Sequence, residues 1–132
     1  MFQQHITRSS PRVLLVEDDR RLLAAIQTRF DLAGYRCVAC DNASEAMQQY
    51  SGGDFDLVIT DINMRGIDGI GIIGMIREQN DVPIIVISGQ INAYAHVVDT
   101  YENVHFLDKP FGMEQLMACA RQARHGPRHA SK

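Results

Sequence analysis

Two kinds of hydrophobic pattern alternate along the chain: short continuous apolar runs, and segments in which apolar residues recur every three or four positions. The short runs predict five strands, at 12–16, 35–40, 56–60, 83–87 and 104–107. The helical spacing predicts five helices, at about 22–33, 43–50, 70–76, 92–101 and 113–120. Regular alternation of this kind is typical of βαβ units and a parallel sheet with helices on both faces. The pattern therefore predicts an α/β domain, doubly wound as (βα)5 around a five-stranded parallel sheet.

Composition limits the class of protein without naming it. The chain has 132 residues, enough for one domain, and its 13 basic and 16 acidic residues give a net charge of −3. Without a basic excess, we expect no direct nucleic-acid partner for this domain. No apolar run is long enough for a membrane span and no secretory signal is evident, so we expect a cytoplasmic protein with no membrane partner. We place the domain at 12–124, an N-terminal tail at 1–11, and a C-terminal tail or the start of a linker at 125–132.

Polar residues follow four of the predicted strands. Glu17 and Asp18 follow the first strand, Asp61 the third, Ser88 the fourth and Lys109 the fifth. In open parallel sheets these strand ends meet at one edge, where ligands bind. Three carboxylates together repel one another unless a cation neutralises them, and oxygen ligands with open positions suit Mg²⁺. Each residue alone could be a helix cap, a turn or a surface group, but the set at four strand ends favours one site.

Four segments carry a resemblance to a known family. They are VLLVEDD at 13–19, DLVITDINMRGIDG at 56–69, IIVISG at 84–89 and FLDKPF at 106–111. In this order and spacing they resemble the receiver domain of two-component response regulators, over about 12–124. The resemblance implies a flavodoxin-like fold and a phosphorylatable signalling domain. Such a domain assists its own phosphorylation and dephosphorylation but is not otherwise an enzyme.

The resemblance also assigns residues to the phosphorylation chemistry. Asp61 would be the phosphoacceptor, and the donor would be a sensor histidine kinase, a histidine phosphotransfer protein or a small acyl phosphate. Asp18 and Asp61 would bind Mg²⁺ directly, Glu17 would act largely through metal-bound water, and the backbone carbonyl of Asn63 would add a ligand.

Further residues would contact the phosphoryl group and pass the signal on. Lys109 and Ser88 would contact that group, and Ser88 with Phe106 would form the conformational switch. The Lys109–Pro110 peptide bond would be cis. The surface of the predicted helix at 92–101, the fifth strand and the last helix would then be read by a downstream target protein or an output domain.

Other interpretations of the same residues remain in view. An interaction-only pseudo-receiver is one alternative, and an aspartyl-phosphate phosphatase of the haloacid-dehalogenase type is a weaker one. Glycines at 69, 71 and 74 spell G-x-G-x-x-G, but they follow the third strand too late for a dinucleotide site and lie in a helix-spaced segment. Cys37 and Cys40 spell C-x-x-C, yet residues three apart in a strand point to opposite faces, which argues against a metal or redox pair.

Overall fold

The described residues contain five strands and four helices in the order that the hydrophobic pattern predicts. The computed structural model describes residues 10–51, 54–62, 69–89 and 100–126. The elements are β1 (Arg12–Val16), α1 (Arg20–Leu32), β2 (Arg36–Cys40), α2 (Ala43–Ser51), β3 (Leu57–Asp61), α3 (Gly69–Arg77), β4 (Ile84–Ser88), β5 (Val104–Asp108) and α4 (Met113–His125). The helix predicted at 92–101 lies mainly outside the described residues.

The five strands form one parallel sheet in the order β2-β1-β3-β4-β5. The order reverses between β1 and β3, which are neighbours in the sheet although β2 separates them along the chain. At such a reversal the loops leave the strand ends toward opposite faces and open a crevice between them. The prediction of a doubly wound parallel sheet is confirmed, and the carboxyl ends of β1 and β3 flank the crevice.

Buried side chains alternate between the two faces of the sheet. On one face, Val58 of β3 packs in a core cluster that includes residues of α2 and α3. On the other, Leu57 and Ile59 pack in a cluster that includes residues of α1 and α4. Cys40 belongs to the first cluster and Cys37 packs against the second, so the two thiols face apart as the strand period predicts. Within the described residues, none of the helices is long and apolar enough to cross a lipid bilayer.

Gly34 ends α1 in a conformation that few other residues adopt. Its φ is 92°, in the left-handed region that favours glycine. The Gly34 amide donates to the Asp31 carbonyl, and the Tyr35 amide donates to the Phe30 carbonyl, each at 3.1 Å. The rings of Phe30 and Tyr35 meet edge to face with centroids 4.8 Å apart. This pair of hydrogen bonds with an apolar contact across them is a Schellman motif, and it sets the direction in which the chain enters β2.

The G-x-G-x-x-G segment lies within a helix. Gly69 is the first residue of α3, and Gly71 and Gly74 lie inside it. The motif therefore does not form the strand-to-helix loop of a dinucleotide site, as its spacing from β3 predicts. Gly74 has a packing role instead, since a Cβ atom at this position would lie 3.3 Å from the hydroxyl oxygen of Tyr101.

Candidate functional site

Three carboxylates meet at the carboxyl edge of the sheet. Asp61 is the last residue of β3, and Glu17 and Asp18 follow β1 directly. Each offers an oxygen atom, and these atoms lie within 4.8 Å of one another. Glu17 and Asp61 are only 2% and 4% exposed, whereas Asp18 is half-buried. The neighbouring strands thus bring together the three acids predicted to form one site.

Lys109 supplies a positive charge to this cluster. Its Nζ donates a hydrogen bond to Asp61 Oδ2 at 2.8 Å and lies 3.2 Å from Glu17 Oε1. The backbone fixes the lysine here, because β5 pairs with β4 and the Lys109 amide donates to the Ser88 carbonyl at 2.9 Å. The Lys109–Pro110 peptide bond is cis. Burial by itself lowers the pKa of Lys109, but the hydrogen bond to Asp61 and the charges of Glu17 and Asp61 outweigh it, so the pKa is raised and the ammonium stays charged.

The Glu17 carboxylate is buried, and its two oxygens differ in their hydrogen bonds. Its Oε2 accepts a hydrogen bond from the Asp19 amide at 3.0 Å. Its Oε1 forms an ion pair with Lys109, but the orientation of the two groups is unsuitable for a hydrogen bond. This buried oxygen therefore accepts no hydrogen bond from the described residues. Burial is the main cause that raises the pKa of Glu17, and the charge of Asp61 adds to it. An additional cation would satisfy this oxygen and relieve the repulsion.

The third acid after β1 has a different role. Asp19 Oδ1 accepts hydrogen bonds from the amides of Arg21 and Leu22, at 3.1 and 3.2 Å, and so caps α1. Asp19 is therefore a helix cap, while Glu17 and Asp18 belong to the carboxylate cluster.

A further acid at the end of β2 was not among the predicted site residues. Asp41 follows β2 at the same edge and pairs with Arg20, with 3.0 Å between Asp41 Oδ2 and Arg20 Nε. Hydrogen bonds from Asn42 and Arg20 lower the pKa of Asp41. The pair borders a cavity of about 520 Å³ lined by Asp18, Asp19, Arg20, Asp41 and Asn42. The rule that identified the other strand ends would also have found Asp41.

Ser88 and Phe106, the two predicted switch residues, lie on the adjacent strands β4 and β5. Ser88 ends β4, next to the strand that carries Asp61, and is 1% exposed. Phe106 pairs with Val86 across β4 and β5, and its half-buried ring packs against the core cluster that contains α3 residues. Asn63, the fourth predicted metal ligand, lies outside the described residues.

Comparisons with known proteins agree with this geometry. The family model of the response regulator receiver domain matches residues 13–121. The transcriptional activator protein PfeR of Pseudomonas aeruginosa is 32% identical in an alignment of 120 residues that covers 86% of this chain and 38% of PfeR. The non-phosphorylated HemR receiver domain of Leptospira biflexa superposes with a TM-score of 0.83 at 27% identity, covering 90% of this chain and 98% of that one. The response regulator TrrA of Thermotoga maritima, solved in complex with Mg²⁺ and BeF, gives a TM-score of 0.76 at 26% identity, with coverages of 86% and 98%.

These matches define the class of protein. The chain has a five-stranded parallel sheet in the order β2-β1-β3-β4-β5, with three acids and a lysine at its carboxyl edge. It matches solved receiver domains over nearly their whole length. The chain belongs to the response regulator receiver domain family. It spans less than half of the length of curated relatives such as PfeR.

Proposed function

We propose that Asp61 accepts a phosphoryl group in a reaction that depends on Mg²⁺, and that the phosphorylated domain signals through its surface. The observation that carries this proposal is the contact of 2.8 Å between Lys109 Nζ and Asp61 Oδ2, inside a cluster with two further carboxylates. Asp61 is a buried nucleophile with a fixed cation beside it, an arrangement suited to phosphoryl transfer, in which catalysis is mainly positioning and charge stabilisation. Membership of the receiver family supports it.

The donor set fits Mg²⁺. Carboxylate oxygens are the ligands that Mg²⁺ prefers, and the buried Oε1 of Glu17 accepts no hydrogen bond from the described residues. Asp18 and Asp61 would bind the ion directly, Glu17 would hold it largely through water, and the carbonyl of Asn63 would complete the protein ligands. When bound, Mg²⁺ supplies positive charge that offsets the negative charge of the phosphoryl oxygens. The Mg²⁺ and BeF complex of TrrA supports the same use here.

Asp61, Lys109 and Ser88 have different roles in the proposed phosphoryl transfer. A carboxylate oxygen of Asp61 forms the new bond to phosphorus as the bond from phosphorus to the donor nitrogen breaks, and the donor imidazole leaves with the electron pair. The Lys109 ammonium exchanges its hydrogen bond to Asp61 for one to a phosphoryl oxygen. The Ser88 hydroxyl then donates to another phosphoryl oxygen, and Phe106 moves with it. We assign the donor to a sensor histidine kinase or histidine phosphotransfer protein, and the reader to an output domain or target protein.

Substitution of Asp61 by asparagine tests the acceptor. An amide cannot form the acyl phosphate, so Asp61→Asn abolishes phosphorylation by acetyl phosphate and Mg²⁺, measured as a shifted band on a Phos-tag gel. Asp54→Asn is the matched control, because this exposed aspartate lies before β3 at the opposite end of the strand. We expect the control to be phosphorylated like the wild type. A shifted Asp61→Asn band of wild-type intensity would place the acceptor elsewhere.

A further inference from the structure

The segment that leads into β5 is bound to the end of α3. Arg77, the last residue of α3, donates from Nε to the Glu102 carbonyl and from Nη2 to the Asn103 carbonyl, both at 3.0 Å. Its Nη1 donates to the Asn80 carbonyl at 3.3 Å. One guanidinium therefore joins the turn after α3 to the turn before β5. Hydrogen bonds from a charged donor are stronger than those between neutral groups.

Asn103 extends this attachment to β4. Its φ of 61° places it in the left-handed region, which asparagine tolerates better than most residues. Its side-chain amide donates to the Asp81 carbonyl at 2.9 Å, and its own carbonyl also accepts from the Ile84 amide at 3.1 Å. The start of β5 is thus held by groups from α3, from the loop after α3 and from the first residue of β4.

Tyr101 makes a second contact with α3. A Cβ at Gly74 would lie 3.3 Å from its hydroxyl oxygen, so the absence of a side chain at Gly74 leaves room for the tyrosine. The half-buried ring packs against the same core cluster as Phe106 and Ile70. We call the group formed by Gly74 and Arg77 with Tyr101, Glu102 and Asn103 the α3 clamp.

The α3 clamp and the phosphorylation site hold opposite ends of the same strand. Lys109 directly follows β5 and binds Asp61, whereas the clamp holds the residues just before β5. Phe106 lies between the two attachments. A phosphoryl group on Asp61 replaces the direct bond from Lys109 and attracts Ser88, so it acts at the carboxyl ends of β4 and β5. If β5 moves in response to the phosphoryl group, the α3 clamp opposes the movement at the start of the strand.

We propose that the α3 clamp stabilises the unphosphorylated arrangement of β5, with Arg77 as a positioning residue that opposes the switch. This inference rests on the proposed phosphoacceptor function of Asp61. A contact shifts a conformational equilibrium only when it differs between the two states. Hydrogen bonds to backbone carbonyls at the start of β5 differ whenever that segment moves relative to α3.

The affinity for Mg²⁺ and beryllofluoride measures this equilibrium in the complete chain. Arg77→Ala lowers the melting temperature and tightens beryllofluoride binding about fivefold. Loss of one hydrogen bond of ordinary strength changes the ratio of two conformations by about this factor. Arg77→Lys keeps the charge and can reach one carbonyl, so its affinity lies between those of Arg77→Ala and the wild type. Arg121→Ala is the matched control, since it removes an exposed arginine from α4, and its affinity equals that of the wild type.

The contact between Gly74 and Tyr101 allows a second, independent measurement. Gly74→Ala adds a methyl group that displaces the hydroxyl and tightens beryllofluoride binding. Tyr101→Phe removes the oxygen that the methyl group meets, so adding Gly74→Ala to Tyr101→Phe produces a smaller change than it does alone. Such non-additivity is the mark of residues in direct contact.

The outcomes separate the inference from the function on which it rests. A wild-type chain without Asp61-dependent beryllofluoride binding would overturn the proposed function, and the clamp with it. Wild-type binding together with unchanged or weakened affinity in folded Arg77→Ala and Gly74→Ala would overturn the clamp alone. If Arg77→Ala does not fold, the Gly74 and Tyr101 variants decide the matter by the same measurement.

Discussion

Three consecutive acids after β1 show how strongly a single residue's role depends on its surroundings. Glu17 is buried beside Lys109, Asp18 is half-buried in the acidic cluster, and Asp19 caps α1 from an exposed position. The sequence predicts Glu17 and Asp18 as site residues, but residue type alone does not separate them from Asp19, because a carboxylate suits both a cation site and a helix N-terminus. Only the direction in which the chain leaves β1 separates the roles.

Asp18 and Lys109 should differ in their effect on metal binding. Asp18→Ala removes a proposed ligand charge and weakens Mg²⁺ binding by about fivefold or more, since a charge–charge contact at this range is worth at least ~1 kcal/mol. Lys109→Ala removes a repelling cation and leaves Mg²⁺ affinity unchanged or slightly tighter. Isothermal titration calorimetry of both variants measures the difference, and an equal loss of affinity in both would contradict these roles.

His105 should make stability depend on pH in a defined direction. Burial, with a smaller effect of the Arg77 charge, lowers its pKa in the folded chain below the ordinary value of about 6.5. The unfolded chain therefore binds the proton more readily, and this contribution to stability, complete above about pH 6.5, is lost as the pH falls.

Urea unfolding at pH 7 and pH 5 measures this effect. His105→Gln loses less stability than the wild type between the two values. His125→Gln, at the exposed end of α4, keeps the wild-type pH dependence. If the three chains lose the same stability, His105 is not the group that titrates.

At the scale of single elements, the N-cap residue determines where a helix begins, and the spacing of apolar residues inside the helix does not. Helical spacing predicts α1 from about residue 22, but the helix begins at Arg20 because Asp19 caps it. Asn42 caps α2 in the same way, since its side-chain oxygen accepts a hydrogen bond from the Glu45 amide at 2.8 Å. Periodicity identifies the buried face of a helix, whereas its first residue depends on which nearby side chain reaches the free amides.

The left-handed glycine after α1 can be tested by two substitutions. Gly34→Ala places a Cβ at a φ of 92° and costs about 1–2 kcal/mol of unfolding free energy. Gly34→Asn costs less, because asparagine tolerates this region better. Chemical denaturation of both variants gives the comparison, and equal stability of Gly34→Ala and the wild type would show that the backbone has another low-energy conformation here.

Across the whole molecule, the sequence is most informative where local rules suffice. Strand count, alternation and the four polar strand ends follow from hydrophobic period and from the geometry of parallel sheets, and the structure has these elements in the described residues. The contacts of Arg77 were not predictable in this way. Its partners are backbone carbonyls about 25 residues away, and every residue has such a carbonyl, so no side-chain pattern marks them. Side chains that bind backbone are visible only once the fold brings the segments together.

The proposed route from the phosphorylation site to the surface involves residues of several strands. Ser88→Ala should still accept phosphate, because Asp61 and Lys109 remain. It should not switch fully, since the lost hydrogen bond to a charged group is worth about 1.5–3 kcal/mol of bias toward the active state. NMR chemical shifts at 104–107 with and without beryllofluoride measure the response. A full wild-type shift pattern in this variant would show that switching bypasses Ser88.

The sheet order has a mechanical consequence for this route. β3, which carries Asp61, is hydrogen-bonded to a neighbour on each side, whereas β5 is an outer strand bonded only to β4 within the described residues. Moving β3 would disrupt two ladders of hydrogen bonds, but moving β5 strains one. The proposed phosphorylation would therefore take place on a strand held from both sides, whereas β5 is held on one side by β4 and at its start by the α3 clamp. A displacement that started at Asp61 would therefore move the carboxyl end of β5 more easily than it would move β3.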